Sequence, residues 1–147
     1  MKWVTASQIG KCGELLVQYH LLREGIDSAP MTTDTGIDLL AFSEGRTVSI
    51  QVKTSTHHDD ETSSWVLWEI PQSCPANYVA IADLEANKGW MVRTSEFLTK
   101  GTNAGATRRL LWSTDPRWKS RTSESDFKEV ELDKVSPDLF GGSKDTN

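Results

Sequence analysis

Residues 47–54 alternate strictly, with Val48, Ile50 and Val52 in one phase and Ser49, Gln51 and Lys53 in the other. A period of two predicts a strand with one face in a core, because successive strand side chains point to opposite faces. Ser55 continues the polar phase. Just upstream, residues 37–42 (Ile-Asp-Leu-Leu-Ala-Phe) are apolar except for Asp38, and predict a mostly buried strand. The Ser-Glu-Gly-Arg stretch at 43–46 joins the two as a hairpin turn. Residues 8–24 are good helix formers, preceded by Ser7 as N-cap and stopped by Gly25. At about 100° per residue, Leu15, Leu16, Val17, Leu21 and Leu22 cover most of the circumference, which predicts a helix largely buried in a core. Lys11, Glu14 and Gln18 share a narrow polar stripe, and Gly10 and Gly13 imply a close neighbour.

The remaining pattern is less regular. Residues 26–32 predict a strand edged by Pro30, and 33–36 a turn. Residues 56–64, with His57-His58-Asp59-Asp60-Glu61, form a polar loop ahead of a short strand at 65–70. Segments 77–84 and 89–93 predict a hairpin across the polar turn 85–88. Thr94 or Ser95 caps a short helix through Lys100, residues 101–125 are polar and weakly patterned, and 126–135 add one further element. Residues 141–147 predict a frayed tail behind a single domain at 1–140. The class is α/β: a first helix, then an antiparallel meander.

Composition narrows the options. A chain of 147 residues, 37% hydrophobic and 25% charged, is that of an ordinary soluble globular domain. No apolar run approaches the roughly 20 residues of a membrane span, and the N-terminus has no signal-peptide stretch. Cys12 and Cys74 lack metal-ligand spacing, so both are expected to be buried thiols in a reducing, cytoplasmic setting. A net charge of −5 argues against coating nucleic acid by charge alone. The charge is segregated, however. Arg108, Arg109, Arg117, Lys119 and Arg121 face a single acid, Asp115, in that stretch. This is either a solvated loop or a phosphate-contacting one. Trp65, Trp68 and Trp90 are expected to pack on the sheet, with Trp112 and Trp118 in the basic stretch as candidates for stacking on bases.

The chemistry centres on the hairpin. Antiparallel neighbours bring Asp38 and Gln51 to one place, and Lys53 lies on the same face roughly 7 Å further along. Magnesium or manganese takes oxygen ligands and keeps several waters. Asp38 offers a carboxylate, Gln51 an amide oxygen, Val52 a backbone carbonyl, and Glu14 a carboxylate from the packed helix. Such a cation acidifies a water and neutralises phosphate charge. Lys53 would hold the attacking water and offset the charge that develops on a phosphodiester. Each residue also has a plainer explanation. Asp38 and Lys53 could form a structural salt bridge, Glu14 could face water, and the histidine-rich loop could simply be solvated.

Taken together, Gly10-x-x-Gly13-Glu14, Gly36-Ile37-Asp38-Leu39-Leu40 and Ile50-Gln51-Val52-Lys53-Thr54-Ser55 resemble the PD-(D/E)xK nuclease superfamily. That group includes restriction enzymes, archaeal-type Holliday junction resolvases and some homing endonucleases. The resemblance covers residues 8–55 and extends toward the strand at 78–84. It implies a restriction-endonuclease-like core, a central mixed β-sheet flanked by helices. It also implies that Asp38, Gln51 and Lys53 are catalytic, with Glu14 helping a magnesium or manganese ion. Two departures stand out: Gln51 replaces the acid before x-Lys, and Ile37 replaces proline before Asp38. The expected activity is metal-dependent DNA endonuclease, acting as a homodimer away from membranes. Ser55, Arg108, Arg109, Arg117 and Lys119 are candidate nucleic-acid contacts. The alternative is a nuclease-fold module that binds nucleic acid or a protein without cutting.

Overall fold

The first helix, α1 (Ala6–Arg23), is capped by Thr5 rather than Ser7. Gln8 N donates to Thr5 Oγ1 at 3.2 Å, and Thr5 N donates to Gln8 Oε1 at 2.8 Å, a reciprocal capping box. The computed structural model describes residues 4–33, 35–56, 65–115, 117 and 119–140. His57, His58, the rest of the 57–64 loop, Asp34, Trp118 and the 141–147 tail lie outside the described residues.

After α1 come β1 (Asp27–Pro30), β2 (Leu39–Ser43), β3 (Arg46–Ser55), β4 (Trp65–Pro71), β5 (Tyr78–Asp83) and β6 (Lys88–Arg93). Then follow α2 (Thr94–Lys100), β7 (Thr102–Ala104), β8 (Thr107–Ser113) and three short 3-10 turns between Glu124 and Phe140. The main sheet has the order β1-β2-β3-β5-β6, and a smaller one the order β4-β8-β7. β3 and β5 run parallel while the other neighbours are antiparallel, so the central sheet is mixed. Glu44 (φ 50°) and Gly45 (φ 76°) make the tight β2–β3 turn, which needs two positive φ values to match strand twist. No described helix is long and apolar enough to cross a membrane.

Two cores flank the main sheet. On one face Ile50, Val52, Tyr78, Ala80 and Met91 pack with Val17 and Leu21 of α1. Gly13 allows this approach: a β-carbon there would sit 1.9 Å from Thr54 Oγ1. On the other face Val79, Ile81, Trp90 and Val92 meet Val66, Trp68, Leu110 and Trp112 of the small sheet. The Trp68 and Trp112 rings lie 4.5 Å apart and Trp112 and Phe127 lie 5.6 Å apart. Each such aromatic pair adds roughly 0.5–1.5 kcal/mol beyond its area burial.

Several expectations need correction. α1 is buried along one side only, through Gly13, Val17 and Leu21, while Leu15 and Leu22 are exposed. A wide apolar stripe therefore did not mean a wide contact. The polar 101–125 stretch contains the β7–β8 hairpin, because β4 offers it a sheet edge that sequence alone does not reveal. Trp112 is 1% exposed and has no free face to stack on a base. Cys12 is exposed rather than buried.

Candidate active site

The β2–β3 ladder runs from Ser43↔Arg46 to Leu39↔Ile50, and there β2 stops pairing. Asp38 N donates to Ile50 O at 2.9 Å, the last backbone bond on this edge. The next N–H on that edge, Val52 N, donates instead to the Asp38 carboxylate, with Oδ2 at 2.7 Å. A strand residue presents its N–H and C=O from the same edge. The Val52 carbonyl therefore also faces the end of β2, beside Asp38.

Gln51 and Lys53 project from the opposite face of β3 to Ile50 and Val52. Gln51 is only 6% exposed, and its Oε1 accepts a bond from Cys74 Sγ at 3.0 Å. Lys53 is half-buried and makes no ion pair among the described residues, so the structural Asp38–Lys53 salt bridge is absent. Its charge is still felt nearby. The Glu69 carboxyl is held below its ordinary value mainly by its bond from Arg109, with smaller help from Thr107 and from the positive charge of Lys53. Burial pushes the Cys74 thiol up and the Asp38 charge adds to this, while the Ala76 backbone N–H and Lys53 pull it down. Glu69 and Cys74 thus both lie within reach of the Lys53 charge, and neither was visible as a site neighbour in the sequence. Glu69 sits in a strand, and Cys74 lies 23 residues beyond Gln51 with no motif spacing.

Glu14 is placed on α1 next to Gly13, whose close neighbour Thr54 follows Lys53 on β3. Its carboxylate accepts from Lys11 Nζ at 2.6 Å. Gln18 Nε2 donates to Ser28 O at 3.4 Å, supporting β1 rather than the Asp38 end of the sheet. Ser55, at the end of the same face, is 8% exposed. Among the basic candidates, Arg109 pairs with Glu69 and Arg117 with Asp115, Arg108 reaches Gly101 O at 3.4 Å, and Lys119 is exposed.

Among the described residues no three His, Cys, Asp or Glu side chains converge as a metal cluster. The donors at the β2–β3 junction are instead one carboxylate (Asp38), one amide oxygen (Gln51) and one backbone carbonyl (Val52). An all-oxygen set with a single charge suits a hard cation that keeps several waters, and is a poor match for zinc.

No protein-family model matches the chain, and no curated protein matches it in sequence. Solved structures match it in fold. The bacterial homing endonuclease I-Ssp6803I superposes with a TM-score of 0.66 at 13% identity, covering 84% of this chain and 86% of that one. Hjc of Archaeoglobus fulgidus, a Holliday junction resolvase from an archaeal hyperthermophile, gives a TM-score of 0.50 at 12% identity, covering 82% and 88%. The chain has the restriction-endonuclease-like fold, a central mixed sheet flanked by helices.

Proposed function

We propose that the chain is a metal-dependent DNA endonuclease that hydrolyses phosphodiester bonds at the β2–β3 junction. The observation that carries this is the Val52 N–H bond to Asp38 Oδ2 at 2.7 Å, which holds the carboxylate against the Gln51-Val52-Lys53 segment. Asp38, Gln51 Oε1 and the Val52 carbonyl would hold magnesium or manganese, with Glu14 joining directly or through water once it releases Lys11. When bound, that cation neutralises phosphate charge and acidifies a water. Lys53 is the ammonium left for the attacking water and for charge developing on the scissile phosphate. The fold shared with a homing endonuclease and a junction resolvase supports DNA as the substrate.

Arg108 and Lys119 are the candidate phosphate contacts that no carboxylate engages among the described residues. Arg109 and Arg117 would first have to leave Glu69 and Asp115. One site per chain cuts both strands of a duplex or junction when two copies act together, so the working unit is a homodimer. The test is a panel of supercoiled plasmid, single-stranded DNA and a four-way junction, each with magnesium or manganese.

A second reading, a binding module that does not cut, is favoured by Gln51 standing where an acid would strengthen the cation site. Such a module would bind no divalent cation at millimolar concentration, which separates the two.

A further inference from the structure

Replacing an acid by glutamine at position 51 creates a problem that a carboxylate does not have. A carboxylate presents two equivalent oxygens, whereas an amide presents an oxygen at one end and two N–H donors at the other. Its terminal torsion is broad and roughly two-fold, so nothing intrinsic selects the end that faces a cation. A half-turn would aim the NH2 group at the metal and repel it.

The segment after β4 supplies the selection. Cys74 N donates to Pro71 O at 3.1 Å, which fixes a turn. Pro75 then packs against the approach to Asp38, where a β-carbon on Gly36 would sit 3.0 Å from Pro75 Cδ. Just beyond Cys74 the chain is anchored again, where Ala76 O accepts from Thr94 Oγ1 at 2.6 Å. The thiol so held donates to Gln51 Oε1 at 3.0 Å. This bond directs the oxygen end of the amide toward the segment that abuts the Asp38 end of β2, and it uses one of the two lone pairs of that oxygen. The other remains for a cation.

We infer that Cys74 is a positioning residue for Gln51, its S–H···Oε1 bond selecting the amide orientation that a divalent cation requires. The inference rests on the metal-site reading above and adds to it the residue that makes a neutral ligand usable. Cys74 touches neither cation nor substrate; it acts through the Gln51 amide. Serine keeps a donor at the same place, whereas alanine removes it.

The test is manganese binding by full-length protein, read as the free Mn2+ electron paramagnetic resonance signal, with melting temperature recorded for each variant. Cys74→Ala is expected to weaken Mn2+ binding about tenfold, the lower end of what loss of an outer-shell partner does, and Cys74→Ser to restore most of it. In a Gln51→Ala background, Cys74→Ala should have no further effect. In cation-free protein, the Gln51 side-chain amide resonance should move in Cys74→Ala and stay near wild type in Cys74→Ser. Equal Mn2+ affinity of wild type and Cys74→Ala would overturn the inference while leaving the metal site standing. So would an equal loss from Cys74→Ala with and without Gln51, which marks a merely structural effect. Wild type that binds no Mn2+ would overturn the metal-site reading itself, and this inference with it.

Discussion

Val52 N donates to Asp38 Oδ2 at 2.7 Å, one step beyond the last backbone bond between β2 and β3. The carboxylate thereby replaces a missing ladder partner, which ties the position of a candidate catalytic group to the sheet itself. Charge and hydrogen bonding can be separated here. Asp38→Asn keeps an oxygen acceptor for Val52 N–H and should change unfolding free energy little. Asp38→Ala leaves that donor unmet in a part-buried place and should cost about 1–3 kcal/mol. Urea denaturation of the two variants checks the difference, and both should lose Mn2+ binding.

The two glycines of α1 should respond in opposite ways. A methyl at Gly13 meets Thr54 Oγ1 at 1.9 Å, while Gly10 has nothing within 4 Å. Gly13→Ala must push the helix off β3 and should destabilise by about 1–3 kcal/mol, as overpacking does. Gly10→Ala has no such conflict and should stabilise by up to about 1 kcal/mol through helix propensity. Gly10 therefore lacks the close neighbour expected of it, and thermal melting of both variants decides whether close approach explains Gly13 alone.

Gln51→Glu should strengthen cation binding and weaken the cation-free fold. The position is 6% exposed, so an added carboxylate is poorly hydrated until a cation neutralises it. The expected signature is a melting temperature below wild type without metal that rises steeply with added magnesium. A variant whose melting is indifferent to magnesium would place residue 51 away from the cation.

Glu69 reports on Lys53. Its carboxyl is held below the ordinary value of 4.5 chiefly by Arg109, with Lys53 contributing. A depressed carboxylate stabilises the fold above its unfolded value, and that contribution is lost as pH falls through the folded one. The window therefore lies below about pH 4.5. Carboxyl NMR titration should show Glu69 moving up strongly in Arg109→Ala and slightly in Lys53→Ala. No movement in Lys53→Ala would mean that the ammonium lies elsewhere.

The local part of this structure was legible from the chain. Alternation at 47–54 gave β3 and its two faces, and the Glu44-Gly45 turn fixed Asp38 across from it, because these features depend on neighbours close in sequence. What stayed hidden depends on distant partners. Nothing in the polar 101–125 stretch announces that β8 pairs along β4, from Trp65↔Ser113 to Pro71↔Thr107. That packing turned Trp112 inward, and the turn after β4 brought Cys74 to Gln51. On the other face of the main sheet, α1 makes contact through one side only and leaves Leu15 and Leu22 outside.

The central claim is a cation-dependent site built from Asp38 and Lys53. The most direct measurement is cleavage of supercoiled plasmid, single-stranded DNA and a four-way junction with magnesium or manganese by wild type, Asp38→Ala and Lys53→Ala. Loss of one general electrostatic stabiliser costs roughly a hundredfold or more, so both variants should fall to background while remaining folded. Cleavage by wild type with either variant still active would contradict the site, and no cleavage of any substrate with either metal would contradict the catalytic reading.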